Sequence, residues 1–106
     1  DPALDALVPK DAKLEVLAGG FEWAEGPVWL KGSKTLVFSD VERNTVYAWS
    51  SAEGVKEYLK PSGYTAGPKF TGREPGSNGL ALDKDGHLVL CQHGDRRVAR
   101  LDKAGH

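Results

Sequence analysis

A carboxylate at Glu25, an amide at Asn78 and an imidazole at His93 are the side chains best suited to binding or transforming a small molecule. Glu25 offers oxygen ligands to a hard cation, Asn78 can donate and accept hydrogen bonds at once, and His93 can take or give a proton near neutral pH. Each also has a plainer reading. Glu25 before Gly26-Pro27 suits a solvated strand end, Asn78 in Ser-Asn-Gly suits a turn residue, and His93 in Gln-His-Gly-Asp suits an exposed turn histidine. His87, Cys91 and His93 share one face of a strand by alternation, which invites a zinc reading. A strand spreads them over roughly 20 Å at ~3.3 Å per residue, so only adjacent pairs converge and zinc is not expected there. Asp83-Lys84-Asp85-Gly86 starts like a calcium loop, but Leu88 stands where the loop needs glycine and Gly94 where it needs the closing Glu, which leaves a hairpin turn. Asp40 is expected to accept backbone N–H groups of the turn before Asn44, and stays outside the site.

What must position these residues is a repeat. Glu25 to Gly54 aligns with Asn78 to Gly105: Glu25 falls on Asn78 and Gly26 on Gly79 at an offset of 53, and after a one-residue gap Val46 falls on Val98 at an offset of 52. The first copy predicts strands at Gly26–Leu30, Thr35–Ser39, Thr45–Trp49 and Val55–Leu59, the four of a propeller blade. The second predicts Gly79–Leu82, Leu88–Gln92 and Arg97–Leu101, and the chain ends before a fourth. Turn signals at Lys31-Gly32-Ser33, Ala52-Glu53-Gly54 and Asp83 to Gly86 make consecutive strands hairpins. Runs such as Leu36-Val37-Phe38 and Leu88-Val89-Leu90 suit sheets covered on both faces, and Cys91 within the second run reads as a small buried hydrophobe.

Hairpin connectivity has a consequence for the chemistry. The start of an inner strand and the end of the next share one face, so Glu25 and Asn78 are expected at one channel mouth with Asp40, Val41, Gln92 and His93. Lys13–Ala18 predicts an extra strand before the first blade, and the Gly- and Pro-rich stretch from Lys60 to Ser77 predicts a lid-like connection. Arg96, Arg97 and Arg100 alternate between faces and read as a solvated edge.

Composition excludes several classes. Fourteen Lys and Arg against 15 Asp and Glu leave a net charge of −1, which is no footprint for nucleic acid or an anionic membrane. The longest apolar runs are too short to span a bilayer. With 13 glycines, six prolines, aromatic-rich strands and no Met, the chain reads as all-β, and its first residue as not a native initiator. Removal of a signal peptide, a tag or another preceding segment is expected on that ground, with a periplasmic or secreted location slightly favoured over a cytoplasmic one.

The blocks FEWAEGPVW, LVFSDVERNTVYAW, PSGYT and EPGSNGLALDKDGHLVLCQHGDRRVARLD together resemble the gluconolactonase and senescence-marker-protein (regucalcin-like) family. The resemblance implies a six-bladed β-propeller of roughly three times this length, with this chain covering blade one (about 25–60), the connection (60–77) and part of blade two (78–106). It implies metal-dependent hydrolysis of sugar lactones, with one divalent cation, calcium before magnesium, manganese or zinc, held by Glu25 and by an Asn and an Asp of later blades. Asn78 matches a substrate-contacting position, and His93 is the candidate general base or substrate donor. Animal members carry an Arg two residues before that Asn; Gly76 stands there, and Arg73 is the nearest substitute. The lactone is the expected partner, and the remaining blades are expected to complete the site, so the fragment alone is expected to be inactive. A non-catalytic binding propeller, or a related esterase or organophosphatase, is the alternative the missing blades would decide.

Overall fold

The computed structural model describes residues 2–102 and 105. Among these, seven strands build two antiparallel sheets, one of order β1-β2-β3-β4 and one of order β5-β6-β7. The first holds β1 (Ala24–Leu30), β2 (Thr35–Asp40), β3 (Thr45–Ser50) and β4 (Gly54–Leu59); the second holds β5 (Ser77–Leu82), β6 (Leu88–Gln92) and β7 (Arg97–Arg100). Period-two alternation decides which side chains meet. Val37 and Val46 on one face of the first sheet join Leu88 and Leu90 of the second in a buried cluster, with Val28, Leu30, Ala48, Leu59, Leu80 and Leu101 packed around it. The core therefore lies between the sheets. Full burial of a side chain such as Leu90 contributes about 1.5–3 kcal/mol.

The opposite face of the first sheet is capped by the chain's own beginning. Phe21 packs edge-on against Phe38 at 4.9 Å between ring centroids and at a tilt against Tyr47 at 5.3 Å, and Phe38 and Tyr47 are paired neighbours on β2 and β3. The expected strand at Lys13–Ala18 does not form. Glu15 to Ala18 instead cross a shallow groove lined by Phe21, Leu36, Phe38 and Trp49, with Leu14 and Val16 exposed. Residues of high strand propensity remain unpaired when no ladder takes up their backbone. A four-residue helix, α1 (Pro2–Asp5), precedes this segment without a sequence signal that singled it out.

Coverage on both faces, expected for β6, is also corrected. Its burial alternates, with Leu88, Leu90 and Gln92 buried and Cys91 exposed, because only one face of the second sheet meets the first. Cys91 is thus not the buried hydrophobe expected. Among the described residues, no helix is long and apolar enough to cross a membrane.

Candidate active site

The two inner strands, β1 and β5, carry the same irregularity at the same place in the repeat. The β1–β2 register slips by one residue between Glu25 and Val28, and the β5–β6 register by one between Ser77 and Leu80. A bulge of this kind puts an extra residue into one strand and re-aims the side chains beside it. In both sheets the candidates adjoin the slip, Glu25 at its edge in one and Asn78 within it in the other.

What brings them together is a close approach of backbones. Gly26 sits at φ +62, and a Cβ there would lie 2.7 Å from the Asn78 carbonyl oxygen and 3.0 Å from the Leu80 nitrogen. Only glycine tolerates both the left-handed conformation and that contact. The result is a side-chain hydrogen bond across the two sheets, in which Asn78 Nδ2 donates to Glu25 Oε2 at 3.3 Å.

Beneath the pair runs a buried hydroxyl chain. Ser39 Oγ donates to the Asn78 carbonyl at 2.8 Å and lies 2.8 Å from Ser77 Oγ. A hydroxyl has one proton, so Ser77 must be the donor between the two. The Ser77 N–H in turn donates to Ser62 Oγ at 3.0 Å, and all three serines are fully buried. Both sheets are clamped directly behind the candidate residues.

His93 follows β6 at this same end. Its N–H donates to the Gly76 carbonyl at 3.2 Å, next to the Ser77–Gln92 pairing that opens β5. The half-exposed imidazole has Nδ1 3.2 Å from Glu74 Oε2. Asp40 and Gln92 reach this end as well, but both are buried and engaged with backbone. Asp40 accepts the N–H groups of Glu22 and Trp23, which belong to the chain before β1, and not those of the turn before Asn44 as expected. The sequence offered its acceptor role but not its partners, which lie 17 and 18 residues away. Gln92 donates to the Ser62 carbonyl at 3.0 Å and accepts from Arg97 Nε at 2.7 Å. Arg73, the suggested stand-in for the family's arginine, is exposed and paired with Glu42 at 3.0 Å.

The connection between the sheets is built in at its ends. Asn44, in a left-handed turn conformation at φ 54, accepts the N–H groups of Ser62, Gly63 and Tyr64 on Oδ1 and donates from Nδ2 to the Tyr64 carbonyl. Thr65 donates its N–H and hydroxyl to Asp95, which holds that carboxyl below its ordinary pKa. Asn44, Glu74 and the serine chain were not identified from sequence. An Asn in a tight turn signals local capping, while three acceptances from a segment 18 to 20 residues on carry no local signal.

The other end of β6 holds a different cluster. Asp83, Asp85 and His87 place ligand-type atoms within 4.8 Å of one another. Asp83 is already saturated: Oδ1 accepts the N–H groups of Asp85 and His87, and Oδ2 faces His87 Nδ1 and Arg100. Lys84 covers both oxygens of Asp85 at 2.8 Å. The hairpin-turn reading of this stretch agrees with the Gly86 N–H bond to the Asp83 carbonyl.

Residues 23–104 match the family model described as the SMP-30/gluconolactonase/LRE-like region. The chain belongs to this family. A gluconolactonase of Zymomonas mobilis is 39% identical over 102 residues, covering 95% of this chain and 29% of that protein. Among solved structures, a Xanthomonas campestris gluconolactonase superposes at a TM-score of 0.77 with 32% identity, covering all of this chain and 31% of that one. Another structure bearing the gluconolactonase name superposes at 0.74 with 34% identity, covering 96% of this chain and 32% of that one. The chain therefore spans about a third of the length of these SMP-30/gluconolactonase relatives, and its antiparallel sheets are those of their fold. Glu25 presents carboxylate oxygens, the type of ligand that hard cations such as calcium and magnesium take, so the residue that would hold the divalent cation the resemblance implies fits it.

Proposed function

We propose that the full-length protein hydrolyses sugar lactones at the end of the sheets that carries Glu25, Asn78 and His93. In this reading it is a six-bladed propeller. The chain carries blade one at about 25–60, a lid-like connection at 60–77 and part of blade two from 78 to 106, and later blades complete the site. The observation that carries the reading is the Asn78 to Glu25 hydrogen bond at 3.3 Å, made by matching bulges in two successive repeats. Two solvated strand ends would need neither the paired bulges nor the close approach at Gly26.

A divalent cation, calcium before magnesium, manganese or zinc, would when bound polarise the lactone carbonyl and stabilise the negative charge that develops on its oxygen. Glu25 is its ligand in this chain. Asn78, within hydrogen-bond reach of Glu25, orients a substrate oxygen against it. His93 is the general base and takes a proton from the attacking water. The water oxygen bonds to the carbonyl carbon, the ring C–O bond breaks, and the proton goes to the departing ring oxygen to give a hydroxy acid.

The test is a lactone assay on the full-length protein before and after treatment with a chelator. The expected result is turnover that disappears on chelation and returns with a single divalent cation. Turnover indifferent to chelation would remove the cation, and with it the role of Glu25.

A further inference from the structure

The general base assigned above needs its lone pair on the nitrogen that faces substrate, and that requires the proton to sit on the other one. An imidazole beside a carboxylate keeps its proton on the nitrogen nearest that carboxylate. Nδ1 of His93 lies 3.2 Å from Glu74 Oε2. We propose that Glu74 is a positioning residue for His93. It holds the ring with Nδ1 protonated and leaves Nε2 as the proton acceptor for lactone hydrolysis. The inference rests on the lactonase reading and adds Glu74 to its working parts.

The mount of the pair supports this role. Glu74 leads into Pro75-Gly76, and the Gly76 N–H is fixed on the Val41 carbonyl at 2.8 Å while its own carbonyl takes the His93 N–H. Three glycines allow the backbones at this corner to touch. A Cβ on Gly76 would meet the Val41 oxygen at 2.5 Å, one on Gly94 the Pro75 oxygen at 2.4 Å, and one on Gly63 the Gly76 carbonyl carbon at 2.1 Å. His93 lies between Gln92, which is buried against the Ser62 carbonyl, and Gly94, which is wedged against Pro75 and Tyr64. Both members of the pair thus stand on backbone that cannot shift without a clash, while their side chains stay partly open, at 47% for His93 and 35% for Glu74. Backbone fixed this firmly under exposed side chains suits a group that must be aimed.

During turnover His93 Nε2 accepts the proton of the attacking water and returns it to the ring oxygen, so the imidazole ends as it began. The experiment compares full-length wild type with Glu74→Gln and Glu74→Asp. It measures kcat and KM for a sugar lactone, cation affinity by calorimetry, melting temperature, and the His93 tautomer by nitrogen-15 NMR. The expected result for Glu74→Gln is a kcat lower by about tenfold, in the range found when a partner that orients a functional histidine is lost. KM, cation affinity and melting temperature should stay unchanged, and the His93 proton should redistribute toward Nε2. Glu74→Asp, which keeps the charge, should recover part of the rate. An active wild type with unchanged kcat and tautomer in Glu74→Gln would overturn this inference alone. A wild type that binds cation but hydrolyses no lactone would overturn the functional reading and this inference with it.

Discussion

His87 and His93 bracket strand β6, each with its Nδ1 close to a carboxylate, yet the two pairs are built for different work. At one end Asp83 takes two backbone N–H groups, the His87 ring and Arg100, and His87 and Asp83 are 17% and 19% exposed. Hydrogen bonding, with the His87 backbone N–H foremost, lowers the Asp83 carboxyl from its ordinary 3.8 to about 2. At the other end Glu74 and His93 are far more open, and the backbone beneath them is held by other residues: Asn44, Gln92, the serine chain and the glycine contacts. A carboxylate whose oxygens are all spent on its own turn and on Arg100 of the neighbouring strand is structural. One whose surroundings are braced by other residues is free to act on a neighbour.

The comparison breaks most sharply if the bracing at the open end is taken away. Asn44→Ala in the full-length protein removes the acceptor shared by three backbone N–H groups, and is expected to cost about 2 kcal/mol of stability, read as a lower urea midpoint. Lactone turnover should fall with it even where the protein stays folded, because Ser62 and Gly63 support Gln92 and Gly76 on either side of His93. A stability loss with full turnover would show that the bracing serves the fold alone.

A smaller effect sharpens the other side. Because the folded Asp83 carboxyl is depressed from 3.8 to about 2, its contribution is complete above the ordinary value. It is lost as the pH falls through the window between the two. Melting temperature of wild type should therefore drop more steeply between pH 4 and 2 than that of Asp83→Asn, with lactone turnover at neutral pH alike in both. The difference should be modest, because the group lies near solvent. Parallel curves would mean that Asp83 holds no more than an ordinary surface carboxylate.

Much of this architecture was legible in the chain itself because the information is periodic or local. The repeat aligns Glu25 with Asn78, and hairpin turns with short strands are spelled out by Gly, Asp and Asn at their corners. Contacts between distant segments were not legible. Asp40 finds its partners at Glu22 and Trp23, Asn44 at Ser62 to Tyr64, and His93 at Glu74, each joined by chain paths that no local pattern encodes. The failed strand at Lys13–Ala18 and the exposed Cys91 have a related cause. Strand-forming composition states a preference, and whether it is met depends on what else lies alongside.

The central claim, that Glu25 belongs to a cation site at the braced end, is tested most directly by calorimetric titration of a divalent cation into chelator-stripped full-length wild type and Glu25→Gln. Calcium and magnesium are titrated separately. Wild type is expected to bind one cation per chain. Glu25→Gln, which keeps the side chain's shape and its contact partner Asn78 but removes the charge, is expected to bind at least tenfold more weakly, in line with the sensitivity of metal sites to their ligands and supporting groups. Equal affinity in the two proteins would contradict the claim and return Glu25 to the solvated strand end that its Gly-Pro neighbours first suggested.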